Sequence, residues 1–269
     1  MDKRPIGVFD SGLGGLTMIK KLIELLPSED IIYLGDTGRV PYGSRSKETI
    51  TKYAHQDAAF LLKHDIKAMV VACNTVCSVA VASLKAEYNM PIYEVIEVPA
   101  TRAAEATKNG KIGVIGTAAT IRSGKYEEAL RNLNPELEVY SVKCPLFVPL
   151  VEEGWTSADD EAVLSIATRY LSALQNLGVD TLILGCTHYP LLRGVISKVM
   201  GDKVTLVDSG AETAKYVAEK LQKINIVNDK NNTGTIQYFV TDSIQGFSER
   251  ASAYLESDVY GLVKQVVIE

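Results

Sequence analysis

Two cysteines of this sequence stand where a thiol could act on a bound molecule. Cys73 follows the apolar run "MVVA" and Cys186 follows "LILG", and small polar or basic residues come next, "NT" in the first case and "TH" in the second. A thiol between a buried strand and a helix has its thiolate favoured by the helix N-terminus, so it can serve as a base or a nucleophile. A cysteine in an apolar run is otherwise a small core residue, and we assign Cys77 and Cys144 to that class.

The same residues raise the question of a metal site. Cys73 and Cys77 are four positions apart on a predicted helix, and Cys186 and His188 are two apart, but the sequence contains no C-x-x-C pair. Structural zinc sites usually contain such a pair, so the sequence predicts no metal site. His188 belongs to the polar cluster that begins at Cys186, and packing in the core is the alternative for it.

A glycine-rich turn, "DSGLGG" at residues 10–15, follows the first apolar run. With Asp36 at the end of the next run it could be a dinucleotide-binding fingerprint, but Thr17 stands where the third glycine is expected. Asp10 would also place a carboxylate beside the pyrophosphate. A turn that presents Asp10 and Ser11 at a helix start suits a small zwitterion better, because the carboxylate can contact an ammonium group while backbone N–H groups bind a carboxylate. An NAD-linked oxidoreductase is the weaker alternative.

An α/β scaffold is expected to position these residues. Short runs rich in Val and Ile alternate with longer segments that have helical spacing, which is typical of parallel sheets covered by helices. Ligands of such sheets bind at the carboxyl ends of the strands, where the polar clusters of this sequence lie. The predicted strands are residues 6–9, 31–35, 68–72, 92–96, 112–116, 181–185, 204–207 and 236–240, and the predicted helices include 13–26, 46–64, 118–133, 159–177 and 211–223.

An internal echo relates two halves of the chain. "IGVFDS" resembles "IGVIGT", "ACNT" resembles "GCTH", and the two cysteines precede "VIEV" and "LVDS" at similar spacing. A duplicated α/β unit explains these short matches, as does the shared pattern of βα units. We predict two similar, pseudo-symmetric α/β domains with mainly parallel sheets and an active site in the cleft between them. The predicted domains are residues 1–97 plus 208–269 and residues 98–207, joined by crossing strands near 92–99 and 204–210.

Composition narrows the classes of partner. The 269 residues are 46% hydrophobic and 23% charged, as in an ordinary globular protein. The net charge is -5, and no basic block is present, so nucleic acid is not expected as a partner. No run approaches the roughly 20 apolar residues of a membrane span, and the N-terminal apolar run is too short for a signal peptide. The sequence therefore predicts a cytoplasmic protein without membrane partners.

Five motifs carry a resemblance to a known family. "GVFDSGLGGLT", "GDTGRVPYGSRS", "ACNT", "PLVEEG" and "GCTHYPLL" occur in order between residues 7 and 192, and they resemble the motif set of the glutamate racemases. These are cofactor-independent amino-acid racemases of peptidoglycan synthesis. The resemblance implies a small-molecule substrate, glutamate, with no pyridoxal phosphate, metal or nucleotide, and it leaves a homodimer as a possibility. After about residue 210 only "DSG" can be placed.

The resemblance also implies roles for individual residues. Cys73 and Cys186 would be the acid/base pair on opposite faces of the substrate, the first acting toward D-glutamate and the second toward L-glutamate. Asp10 and His188 would assist them, and Glu152 would interact with His188. The implied substrate contacts are Asp10, Ser11, Pro41, Tyr42, Gly43, Ser44, Cys73, Asn74, Thr75, Thr117, Thr120, Cys186, Thr187 and His188.

Such a pair of thiols is what inversion of an α-carbon without a cofactor requires. A proton must leave one face of the carbon and another must arrive at the opposite face, so one base is not enough. The predicted function is therefore interconversion of L- and D-glutamate, supplying D-glutamate for peptidoglycan. An aspartate racemase follows the same two-cysteine logic and is one alternative. An amino-acid-binding regulatory protein on a racemase scaffold is another, although the presence of both cysteines weighs against it.

Overall fold

The computed structural model describes residues 2–228 and 232–268. The predicted domain made of residues 1–97 and 208–269 therefore includes residues 1, 229–231 and 269, which lie outside the described residues. The strands are β1 Ile6–Asp10, β2 Ile31–Gly35, β3 Ala68–Val71, β4 Ile92–Glu94, β5 Lys111–Gly116, β6 Glu138–Lys143, β7 Thr181–Gly185, β8 Thr205–Asp208, β9 Ile236–Val240 and β10 Val263–Gln265. The helices are α1 Leu16–Leu25, α2 Lys47–Leu62, α3 Asn74–Val79, α4 Val81–Glu87, α5 Glu97–Ala106, α6 Ala118–Ser123, α7 Lys125–Leu133, α8 Phe147–Glu152, α9 Glu161–Asn176, α10 Arg193–Met200, α11 Ser209–Lys223 and α12 Ile244–Leu255, with short 3-10 turns at Tyr42–Ser44 and Tyr189–Leu192.

The strands form two parallel sheets with a shared internal order. The first has the order β10-β9-β2-β1-β3-β4 and the second β6-β5-β7-β8. The order β2-β1-β3-β4 in the first sheet matches the order β6-β5-β7-β8 of the second sheet. In this match β1 corresponds to β5 and β3 corresponds to β7. The last pair of β1 and β3, Phe9 and Val71, is followed two positions later by Ser11 and Cys73, and the last pair of β5 and β7, Gly116 and Gly185, is followed directly by Thr117 and Cys186. Ser11 and Thr117 are the residues that end the repeated "IGVFDS" and "IGVIGT". The predicted α/β class with mainly parallel sheets is confirmed.

The chain passes between the sheets in two places, and helices carry both passages. After β4, helix α5 packs on α7 and on strands β7 and β8 of the second sheet. We call the part of the molecule built on the first sheet the first half, and the part built on the second sheet the second half. After β8, helix α11 packs chiefly against α1 of the first half and also against α5. The expected joining elements were crossing strands, but the observed ones are helices: α5 begins after Val95 and Ile96, and α11 begins directly after β8. The predicted domain ranges remain a prediction.

Burial explains why some strands are easier to predict from the sequence than others. All residues of β1, β2, β3 and β7 are buried, and such strands appear in a sequence as continuous apolar runs. Strand β6 lies at one edge of its sheet and is half-exposed, and β10 is mostly exposed, so neither produces that signal. The predicted helix 118–133 is two helices, because Gly124 between them adopts a left-handed backbone with φ +67°.

Apolar packing joins the two sheets. One continuous cluster contains Val8 and Val70 of the first sheet together with Val114 and Ile183 of the second. A separate cluster, which includes Leu182, covers the opposite face of the second sheet. Successive side chains of β7 thus pack into different cores, as expected from the alternation of side chains along a strand.

Among the described residues, no helix is long and apolar enough to cross a membrane.

Candidate active site

Both cysteines line one cavity at the carboxyl ends of the two sheets. The cavity has a volume of about 260 Å³ and receives side chains from both halves of the chain. Cys73 follows β3 and Cys186 follows β7, and each is almost completely buried in the protein around it. The lining residues are Ser11, Val40, Pro41, Tyr42, Gly43, Ser44, Cys73, Asn74, Thr75, Thr117, Ala118, Pro145, Val148, Pro149, Glu152, Cys186, Thr187 and His188.

Cys73 occupies the N-terminal cap of helix α3, as the sequence predicted for a thiol between strand and helix. Its Sγ donates a hydrogen bond to Ser11 Oγ over 3.5 Å. Burial, followed by the negative charge of Asp10, raises the pKa of this thiol to about 12, and these effects outweigh the hydrogen bond and the helix N-terminus. Cys73 is therefore a thiol at neutral pH in the ligand-free cavity.

Cys186 has a basic neighbour. His188 Nδ1 lies 3.9 Å from Cys186 Sγ, and His188 Nε2 lies 3.3 Å from Glu152 Oε1. His188 and Glu152 are close enough to form an ion pair, but their atoms are not aligned for a hydrogen bond. The contact is therefore mainly an attraction between charges. Burial lowers the pKa of His188, but Cys186, Glu152 and Asp10 more than offset this and raise it to about 10. The ring is therefore an imidazolium at neutral pH, beside the second sulfur.

Asp10 lies directly behind the cavity wall. It is fully buried and does not line the cavity, and burial raises its pKa. Its Oδ2 accepts hydrogen bonds from the N–H groups of Gly12 and Gly15 at 3.2 and 2.9 Å, and Thr187 Oγ1 donates to Oδ1 at 3.5 Å. Two N–H groups of the glycine turn are thus used inside the protein. This weakens the dinucleotide interpretation, because that fingerprint needs those groups for a pyrophosphate.

The glycine turn also requires glycine for packing against the second half. A Cβ on Gly14 would lie 2.2 Å from Thr187 Oγ1 and 2.6 Å from His188 Nδ1, so any larger residue would push the turn away from them. The absence of a side chain brings Asp10 within reach of Thr187. The turn "DSGLGG" therefore links the two halves at the cavity.

Threonine hydroxyls connect the halves on another side of the cavity. Thr75 Oγ1 lies 2.9 Å from Thr117 Oγ1 and 3.5 Å from Thr120 Oγ1. Thr117 also caps helix α6 by accepting a hydrogen bond from the Thr120 backbone N–H. Thr75 and Thr117 line the cavity, whereas Thr120 is buried one step behind them. These hydroxyls can hydrogen-bond to a bound carboxylate or ammonium group.

The loop from Pro41 to Ser44 forms a further wall. Its Tyr42 side chain is turned inward, where the hydroxyl donates to Asp36 and lies 3.0 Å from Asp57 Oδ2. A Cβ on Gly43 would lie 2.6 Å from Thr117 Cβ, so glycine permits the close approach of this loop to the second half. The loop therefore offers its backbone and small groups to the cavity, while the Tyr42 ring is part of the supporting core.

The structure brings nearly all the predicted site residues to one place. Asp10 and Thr120 are the two that support the cavity from behind instead of lining it. Some lining residues were missed by sequence reasoning, because apolar and proline side chains carry no chemical signature. The motif "PLVEEG" could have pointed to Pro149, which shares helix α8 with Glu152. The missed residues are Val40, Ala118, Pro145, Val148 and Pro149.

Comparisons with known proteins identify a family and relatives that match nearly the whole chain. The model of the Asp/Glu/Hydantoin racemase family matches residues 6–217. A glutamate racemase of Geobacter metallireducens is 49% identical over 269 residues, covering 100% of this chain and 98% of its own. Glutamate racemase RacE1 from Bacillus anthracis has a TM-score of 0.95 at 40% identity, over 99% of this chain and 98% of that one. A glutamate racemase from Francisella tularensis, solved with D-glutamate, has a TM-score of 0.92 at 37% identity, with coverage of 99% and 98%. The chain belongs to the Asp/Glu/Hydantoin racemase family.

Proposed function

We propose that this chain interconverts L-glutamate and D-glutamate by moving protons between the substrate and two thiols. The observation that carries the proposal is that Cys73 and Cys186 line the same small cavity, one from each sheet. Relatives that match nearly the whole chain are glutamate racemases, and one was solved with D-glutamate bound. A small amino acid is also the class of ligand that suits a cavity of about 260 Å³.

The proposed reaction uses each thiol once per turnover. With L-glutamate, the Cys186 thiolate accepts the α-proton, and the C–H electron pair remains on the α-carbon as a carbanion. The Cys73 thiol then delivers its proton to the opposite face, which gives D-glutamate and a Cys73 thiolate. The roles reverse for D-glutamate. The raised pKa of Cys73 supports its role as the acid in the first direction, because it holds its proton at neutral pH.

The neighbours of the thiols have proposed assisting roles. The imidazolium of His188 places a positive charge 3.9 Å from Cys186 Sγ, where it would balance a thiolate. Glu152 holds that charge in place from the other side of the ring. Asp10 fixes the glycine turn and interacts electrostatically with Cys73 and His188. Direct substrate contacts are proposed for the other polar and loop residues that line the cavity, Ser11, Pro41, Tyr42, Gly43, Ser44, Asn74, Thr75, Thr117 and Thr187. Asp10 and Thr120 are proposed to support these contacts from behind the wall.

A circular-dichroism assay tests the proposal directly. Purified protein treated with EDTA is expected to bring L-glutamate and D-glutamate to the same racemic end point and to act much more slowly on aspartate. Faster racemisation of aspartate would favour the aspartate racemase instead. Activity that is lost on treatment and restored only by a metal or pyridoxal phosphate would contradict a cofactor-free mechanism. Binding of glutamate without exchange of its α-proton in D₂O would favour a regulatory protein.

We propose a cytoplasmic enzyme that supplies D-glutamate for peptidoglycan and that acts without a nucleic-acid or membrane partner. Depletion of the protein in its host is then expected to create a requirement for external D-glutamate. A homodimer is part of the proposal, and light scattering at working concentrations tests it.

A further inference from the structure

A continuous network of buried hydrogen bonds runs from the residue beside Cys73 into the second sheet. Asn74 Nδ2 donates to Ser209 Oγ at 3.1 Å, and Ser209 Oγ donates to the carbonyl of Leu184 in β7 at 2.9 Å. On the other side of the amide, Tyr126 Oη donates to Asn74 Oδ1 at 2.6 Å. All three polar side chains are buried. The orientation of the Asn74 amide is thereby fixed by partners outside the cavity.

The same network reaches both passages between the sheets. Ser209 is the first residue of α11, directly after β8. Tyr126 Oη also lies 2.8 Å from the carbonyl of Val95, which stands between β4 and α5. The hydroxyl has one proton, so the Val95 carbonyl and Asn74 Oδ1 share it. Because a buried polar group that loses its partner destabilises the protein, these contacts resist relative movement of the two halves.

We infer that Tyr126 and Ser209 are positioning residues that fix the spacing between the two thiols. One end of the network is Asn74, the neighbour of Cys73, and the other is the strand that leads to Cys186. Neither Tyr126 nor Ser209 lines the cavity, so both act through the groups that they hold. The inference rests on the proposed two-thiol function, in which both sulfurs must reach one carbon. A displacement of about 1 Å in such a geometry costs about 10²-fold in rate.

The test compares a reaction that needs both thiols with one that needs a single base. Racemisation of glutamate is followed by circular dichroism, and elimination from 3-chloroglutamate is followed as chloride release. In the elimination one thiolate accepts the α-proton, the C–H electron pair becomes the bond between the α- and β-carbons, and chloride leaves with the C–Cl electron pair. A loss of folded protein lowers both rates equally, whereas a wrong spacing lowers only racemisation.

Tyr126→Phe and Ser209→Ala are expected to slow racemisation by about tenfold or more, while chloride release stays close to the wild-type rate. Tyr189→Phe is the matched control. It removes another buried hydroxyl, which donates to the Cys144 carbonyl at 2.9 Å, but both partners belong to the second half. This control is expected to keep the wild-type ratio of the two rates. Thermal melting identifies the variants that fold, and either network variant alone decides the question.

Two results would overturn the inference: an equal fall of racemisation and chloride release in the network variants, or racemisation at the wild-type rate. A wild-type protein that does not racemise glutamate would overturn the proposed function first, and the inference with it. That outcome is seen before any variant is made, so the two failures are distinguishable.

Discussion

The two sulfurs of the cavity have opposite electrostatic surroundings. Cys73 lies near the Asp10 carboxylate, and burial together with that charge holds its proton in place. Cys186 lies near the imidazolium of His188. In the proposed mechanism, one cysteine must be a thiolate and the other a thiol before each enantiomer reacts. The different surroundings of the two sulfurs therefore favour one of these two arrangements over the other. In the proposed mechanism, the Cys73 thiol is the acid that completes the turnover of L-glutamate.

Single replacements of the cysteines test the assignment of faces. Cys73→Ser and Cys186→Ser are each expected to slow racemisation by about 10²- to 10⁴-fold, because a hydroxyl is a far poorer acid/base group. Elimination from 3-chloroglutamate needs one base only, so Cys186→Ser should still release chloride from the D-enantiomer and Cys73→Ser from the L-enantiomer. A shared preference for one enantiomer would contradict the opposed faces. Swapped preferences would keep the faces and reverse the labels. Cys144→Ser, a buried cysteine outside the cavity lining, is the control.

The ion pair between His188 and Glu152 predicts a change in pH dependence. Contacts that include Glu152 raise the pKa of His188 to about 10 despite its burial, so the imidazolium is lost only as the pH rises through that value. Glu152→Gln removes the carboxylate charge and should move the alkaline limb of kcat/KM to lower pH by about one unit. The measurement is the pH profile of kcat/KM for both enantiomers. Glu153→Gln, on an exposed neighbour, should leave the limb in place. If the alkaline limb of kcat/KM does not move in Glu152→Gln, that limb does not report the titration of His188.

At the scale of elements, a buried charge cluster supports the loop that forms one cavity wall. Arg39 donates to Asp36 at 2.6 Å, to Gln56 at 2.6 Å and to Asp57 at 2.9 Å, and its guanidinium lies 4.2 Å from the centre of the Tyr53 ring. Asp36 and Asp57 are fully buried. Burial, with the nearby Asp36, holds the pKa of Asp57 well above its usual range. The guanidinium therefore joins α2 to the start of the loop.

Arg39→Lys is expected to loosen this wall. An ammonium group is a point charge and cannot reach three acceptors in one plane, so the free energy of unfolding should fall by about 2 kcal/mol. The Pro41–Ser44 loop lines the cavity but carries neither thiol, so KM for glutamate should rise more than kcat falls. Urea unfolding and steady-state kinetics measure the two effects. Arg45→Lys, at an exposed arginine after the same loop, is the control. An unchanged KM in Arg39→Lys would show that the cluster does not act on the wall.

The elements that hold the cysteines were predictable because their side chains are uniformly buried. Residues 68–71 and 181–185 are buried throughout and consist mostly of apolar side chains, and the polar residues that follow them mark the site. Strand β6 and helix α8 were not predicted, since the first is half-exposed and the second is short and contains Pro149. The position of Asp10 behind the cavity wall also could not be predicted from the sequence, because it depends on a contact with Thr187, which is distant in the sequence.

At the scale of the whole molecule, the two halves share a core as well as a cavity. Val8 of the first sheet and Ile183 of the second belong to one apolar cluster, while Leu182 faces a second cluster confined to the other side of its sheet. The repeated strand order therefore does not make two separately packed units. The shared core packs both cysteine-bearing strands against each other's sheets, which suits the proposed proton transfer to opposite faces of one carbon.

This shared core predicts that the halves unfold together. Trp155 is the single tryptophan of the chain and lies in the second half, so its fluorescence reports on that half while far-UV circular dichroism reports on the whole fold. In urea the two midpoints should coincide for the wild type. Ile183→Ala removes buried side-chain volume from the shared core and should lower the free energy of unfolding by about 2 to 5 kcal/mol, moving both midpoints together. Leu177→Ala, at a leucine that is 41% exposed and lies outside the shared core, should change it by less than about 0.5 kcal/mol. Separate midpoints for fluorescence and circular dichroism would mean that the halves unfold independently and that the shared cluster does not couple them.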